Sequence, residues 1–178
     1  QQMLKETAER LVRDVYTFDK RQKFSESEAG FSTEFWQQMG ELGLTAIPFP
    51  EELGGFGGKG VETMLIMEQL GAGICLEPYM ESVILAGGLI TQLGSDTQKD
   101  ELLGQIASGE LQAAVALDEL HSHYNLHDVQ TTAKQSGDKW TLNGRKGVVI
   151  GGHTAGKILV SARTAGDAHC QMPAAHAA

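Results

Sequence analysis

The hydrophobic period of this chain changes once, near residue 111, and that change restricts the fold more than any single motif does. Before it, apolar residues return at helical spacing. Leu4, Ala8, Leu11, Val12, Val15 and Phe18 form one stripe of a 3.6-residue period, so a core-facing helix is expected from Leu4 to about Phe18. The polar stretch from Asp19 to Glu28 reads as loop. Ser32 is placed to cap a helix carrying Phe35, Trp36, Met39 and Leu42, which Gly43 stops. Pro48, Pro50 and the five glycines between Leu53 and Gly60 demand a loop. A helix from about Val61, with Val61, Met64, Leu65, Met67 and Leu70 as its apolar positions, ends at Gly71 and Gly73. Another spans roughly Pro78 to Leu93. Ser95-Asp96-Thr97-Gln98 has the form of a capping box and opens a last helix with Leu102, Leu103 and Ile106, ending at Gly109.

Beyond residue 111, five short β-prone runs are expected as strands: Gln112 to Leu117, Val129 to Ala133, Lys139 to Leu142, Arg145 to Ile150 and Lys157 to Ala162. Turn signals at Ser136-Gly137-Asp138 and Asn143-Gly144 predict antiparallel hairpins of a meander rather than crossovers. The expected fold class is α+β: an N-terminal all-α helical bundle over 1–110, an incomplete antiparallel β-domain over 111–164, and an irregular Ala- and His-containing tail over 165–178.

Charge and apolar content narrow the partners. Fourteen Lys and Arg stand against 23 Asp and Glu, a net charge of -9, with no basic patch, so nucleic acid is not an expected partner. The longest apolar runs, Met64 to Met67 and Ser82 to Ile90, are too short or too interrupted for a membrane span or a signal peptide. Cys75 and Cys170 lie far apart, which predicts no structural disulfide and a reducing, cytoplasmic setting.

Three local patterns suggest chemistry. Gly55-Phe56-Gly57-Gly58-Lys59-Gly60 fits the G-x-G-x-x-G spacing of a dinucleotide loop, but two prolines precede it where a buried strand is required. His121, His123, His127 and Asp128 crowd one segment without a zinc-ligand framework, so a polar loop and no metal is expected. Glu77 and Glu119 would serve as bases only if burial raised their carboxyls. Trp36 and Trp140 read as packing residues.

Several phrases in order carry a resemblance. They are Phe35 to Leu44, ending in Leu42-Gly43; the loop Pro48-Phe49-Pro50-Glu51-Glu52-Leu53-Gly54-Gly55; Glu68-Gln69-Leu70-Gly71; Gly94-Ser95 through Gln98-Lys99; Ala116-Leu117-Asp118-Glu119; and Trp140-Thr141-Leu142-Asn143-Gly144-Arg145-Lys146 with Ala162-Arg163. From about Leu4 to Thr164 the chain resembles the acyl-CoA dehydrogenase family. The resemblance implies FAD, an acyl-CoA thioester substrate, removal of the α-proton by a carboxylate and transfer of the β-hydrogen to the flavin as hydride. It also implies a homo- or hetero-oligomer of dehydrogenase chains. It sets the flavin ring against the β-domain and so nominates Leu117, Asp118, Val149 and Ile150 as cofactor-binding residues. The family's catalytic Glu belongs to a C-terminal helical domain, so no catalytic residue is assigned here. The chain departs from the family at Asp118, which replaces Thr, at Val148-Val149-Ile150, which replaces Trp-Ile-Thr, and at His121 to Asp128, which replaces a Gly-Ser-Asp loop. The alternatives are a catalytically silent subunit of a mixed dehydrogenase assembly and a truncated fragment with no activity of its own.

Overall fold

In the computed structural model, which describes residues 1–165, six α-helices precede four short strands. The expected tail falls almost wholly, and Cys170 entirely, outside the described residues. Helix α1 (Gln2–Val15) buries Ala8 and Val12. It stops at Val15 rather than Phe18, because Tyr16 leaves the helical region (φ -95°, ψ 65°) and Thr17 is extended. Phe18 therefore begins a second helix, α2 (Phe18–Ser25), and is 77% exposed. That helix occupies the stretch expected as loop. It buries no residue, so no apolar stripe announces it; Arg21 Nε donating to the Ile74 carbonyl at 2.8 Å and Phe24 packed edge-on against Tyr16 pin it down.

The Ser32 hydroxyl accepts from the Phe35 amide at 3.1 Å and so starts α3 (Thr33–Glu41), which buries Phe35, Trp36 and Met39. Gly43 follows its C-terminus at φ +71°, a backbone conformation that favours glycine. Helix α4 (Gly60–Ala72) packs on α1 through Ile66 and Leu70, whereas Val61 and Met64, expected on its inner face, are about half exposed at 49% and 56%. The stretch expected as one helix from Pro78 divides into a π-helical segment, Tyr79–Ala86, and a short α5, Gly87–Leu93. The capping box forms at the start of α6 (Asp96–Ala107): the Ser95 amide donates to Gln98 Oε1 at 3.0 Å, and the Gln98 amide to Ser95 Oγ at 3.3 Å.

The strands are β1 (Ala113–Ala116), β2 (Thr132–Ser136), β3 (Lys139–Asn143) and β4 (Lys157–Val160). The hairpin is present, β2 pairing antiparallel with β3 in the register Lys134↔Thr141. The meander is not: β1 pairs parallel with β4, Ala114 opposite Ile158, across a long intervening segment. The run from Arg145 to Ile150 forms no strand, since its polar groups turn to the end of β1 instead of to a ladder. Backbone bonds from Ala133 to the Arg163 carbonyl and from Arg163 to the Thr131 carbonyl, both 2.8 Å, join the two sheets. The Ala113 amide donates to the buried Ser82 hydroxyl at 3.0 Å, fastening β1 to the π-helical segment, and one apolar core runs from Ala8 to Leu159. The fold is thus α+β, helices first. No helix among the described residues is long and apolar enough to cross a membrane.

Candidate cofactor-facing site

β1 ends at Ala116, and the next three residues meet the segment that follows Gly144. The Gly147 amide donates to the Asp118 carbonyl at 2.8 Å. Lys146 reaches beneath: its ammonium donates to the Leu117 carbonyl at 3.2 Å, Glu119 Oε1 at 2.8 Å and Ser161 Oγ at 2.9 Å. These contacts hold Leu117 and Asp118 against Lys146 and Gly147, the residues that lead into Val149 and Ile150. Three apolar side chains stand out of the surface there: Leu120, Val148 and Ile150 are 66%, 70% and 61% exposed. Among the described residues β1 pairs with a strand on one edge only, and the carbonyls of Ala116, Leu117 and Asp118 at its end accept from Ser161, Lys146 and Gly147.

Glu119 is not a base. It is buried and accepts from the amides of Gln130 (2.9 Å) and Thr131 (3.0 Å) as well as from Lys146. Burial alone would raise its carboxyl, but the Lys146 ammonium and the Thr131 and Gln130 donors outweigh that and hold it at about 2. Glu77 is buried where the end of α1 and the start of α3 meet the turn before the π-helical segment. Burial raises its carboxyl above the ordinary range, against the pull of Tyr16 and the amides of Ser32 and Leu76.

Next to Ile150 a cleft of about 530 Å³ opens between the helical half and the 150–154 loop. Its walls include Phe31, Leu70, Glu77, Tyr79 and Met80, with Ile150 at the strand side. His153 Nε2 donates to the Ala29 carbonyl at 3.1 Å and so bridges the two sides. A mostly apolar cleft with a few polar groups in its wall has the make-up of a small-molecule site.

The other candidate motifs have local explanations. The amides of Gly55, Phe56, Gly57 and Gly58 donate to the carbonyls of Pro50, Ala46, Phe49 and Ile47, so the glycine loop spends its donors on itself rather than on a phosphate. His121 lies between Asp128 (3.3 Å) and Glu119 (3.8 Å), and no group of three metal-ligating side chains forms among the described residues. Trp36 donates from Nε1 to the Gly109 carbonyl at 2.9 Å, as a packing residue does. Sequence reasoning missed Lys146 and Ser161; a lysine inside a β-prone run was the one available sign.

Comparison with known proteins gives a consistent result. A family model described as the acyl-CoA dehydrogenase N-terminal domain matches residues 1–110. The acyl-CoA dehydrogenase FadE12 of Mycobacterium tuberculosis is 34% identical over 150 residues, which is 84% of this chain and 37% of that one. Among solved structures, the ChsE4-ChsE5 complex from Mycobacterium tuberculosis is 29% identical with a TM-score of 0.81, covering 92% of this chain and 43% of that one. The FAD complex of PigA is 25% identical with a TM-score of 0.82, covering 94% and 44%. The chain spans less than half the length of these proteins.

Proposed function

The chain belongs to the acyl-CoA dehydrogenase family, and from that premise we propose that it is the front part of an FAD-dependent enzyme that dehydrogenates an acyl-CoA thioester between its α and β carbons. The observation that carries this reading is the bond from Gly147 to the Asp118 carbonyl past the end of β1, on a segment that runs on to Ile150 in the wall of the apolar cleft. In this reading residues 1–110 act as the helical domain and 111–164 as part of a β-domain, in a cytoplasmic enzyme.

The residues fit a flavin. A flat ring system with an apolar face and polar edge suits exposed Val148 and Ile150 flanked by the backbone of Leu117, Asp118 and Val149. FAD would supply the hydride acceptor. The chain's own residues orient and shield: the backbone at Leu117–Asp118 and Val149–Ile150 holds the ring, and the cleft takes the fatty, branched or steroid-derived acyl group away from water. Asp118 sets a carboxylate where the family carries a hydroxyl, so negative charge developing on the ring is opposed. Glu77 and Glu119 are both committed to internal hydrogen bonds and neither is offered as the base; the family resemblance assigns the α-proton to a carboxylate of a C-terminal helical domain. The test is colour: full-length protein should purify yellow and bleach anaerobically with a suitable acyl-CoA. Colourless protein that cannot take up FAD overturns the reading.

One observation favours a second reading, a catalytically silent subunit paired with an intact dehydrogenase chain. Asp118 and the Val148–Ile150 run depart from the family where chemistry is most demanding, and a structural neighbour is itself described as a complex of two proteins. A stable complex with a second dehydrogenase chain on co-purification supports it; a homo-oligomer with stoichiometric FAD opposes it.

A further inference from the structure

The Lys146 ammonium has three hydrogens, and each has an acceptor: Leu117 carbonyl, Glu119 Oε1 and Ser161 Oγ. The Lys146 side chain is 8% exposed and that of Glu119 3%. Glu119 in turn takes the amides of Gln130 and Thr131. The pair therefore gathers four separate stretches: the turn after β1, the entry to β2, the segment after Gly144 and the exit of β4. A buried ion pair is a poor source of net stability, because desolvation consumes most of its attraction, and apolar side chains would fill the space as well. What the pair supplies, and apolar packing would not, is a defined spacing between chain segments.

We propose that the Glu119–Lys146 pair is a positioning device, fixing Leu117–Asp118 against Val149–Ile150 so that they present one preformed face to the flavin ring. The proposal rests on the flavin reading above. It follows from the geometry that neither stretch is held by a strand ladder at this point, so the side-chain lock, with the Gly147–Asp118 bond, sets their separation. A site held in advance binds without the cost of ordering two mobile segments.

Full-length protein carrying Lys146→Met is the experiment, read by FAD titration, by the visible spectrum of the bound flavin and by amide exchange of the FAD-free protein. FAD binding is expected to weaken by about ten-fold, the flavin absorption maxima to shift, and exchange to accelerate together in 117–120 and 146–150 while α3 and α6 stay protected. If Lys146→Met does not fold, Ser161→Ala, which removes one of the acceptors, is read the same way with about three-fold weakening expected. A folded variant with parental affinity, spectrum and exchange overturns the proposal alone. A parent protein that takes up no FAD overturns the flavin reading and this proposal together.

Discussion

The Tyr16 hydroxyl donates to both carboxylate oxygens of Glu77, at 2.9 Å and 2.8 Å, and so ties the end of α1 to the turn that leads into the π-helical segment. The same carboxylate takes the Ser32 amide at 3.1 Å, and the Leu76 amide donates to the Tyr16 oxygen at 3.0 Å. Three helix ends thus converge on one buried side chain, and the residues that follow it wall the cleft. Tyr16→Phe keeps the ring packed against Phe24 and Phe35 but removes the donor. A loss of about 2 kcal/mol is expected, seen as a lower urea midpoint at unchanged slope. A midpoint equal to the parent's would show the contact to be idle.

Glu77 should make stability fall with rising pH. Burial raises its folded carboxyl above the ordinary 4.5, so the fold favours the protonated form. The stability it contributes is complete below the unfolded value and disappears as pH climbs through the raised folded value. Glu77→Gln keeps the shape and cannot ionise. Urea midpoints taken upward from pH 4.5 should slope downward in the parent and more gently in the variant; parallel curves refute the assignment.

Glu119 acts in the opposite sense. Its folded carboxyl stands at about 2 against an ordinary 4.5, so its contribution is present above 4.5 and is lost as pH falls from there towards 2. Glu119→Gln should be less stable than the parent at neutral pH, yet lose less on acidification through that window. Acid titrations followed by circular dichroism would show it, and an equally steep acid transition in both proteins would contradict it.

Close backbone approach supplies a third kind of test. A Cβ at Gly40 would collide with the carbonyl of Ser108, where α3 meets the end of α6. Backbone cannot move aside as a flexible side chain does. Gly40→Ala is expected to cost about 1–3 kcal/mol by overpacking, despite the better helix propensity of alanine. A thermal midpoint at or above the parent's would mean the two helices separate freely.

Elements set by local chemistry were legible in the sequence: the Ser32 cap, the Gly43 stop, the Ser95 capping box and the hairpin between β2 and β3 all rest on residues a few positions apart. Elements set by distant partners were not. Helix α2 depends on Arg21 reaching Ile74, and the parallel mate of β1 lies more than forty residues away. The β-prone run from Arg145 to Ile150 is overridden because Lys146 is drawn inward and Gly147 bonds to Asp118. The proposed flavin face of Leu117–Asp118 and Val149–Ile150 comes from the family resemblance rather than from any spacing. Ser161, which accepts from Lys146, carries no local signature, and Lys146 is marked only by being a lysine inside a β-prone run.

Asp118 offers a direct reading of what the departures from the family do. Its backbone carbonyl is fixed by Gly147, while its side chain is partly exposed beside the proposed ring position. A carboxylate there disfavours the reduced, more negative flavin relative to the oxidised one, and partial exposure screens the effect to about 1 kcal/mol. Asp118→Thr removes the charge and restores a hydroxyl. The two-electron midpoint potential of the full-length holoprotein should therefore rise by about 20 mV, with the effect shrinking at high salt. A potential that stays put or falls would place Asp118 away from the ring and would leave Val149 and Ile150 as the nearer contacts.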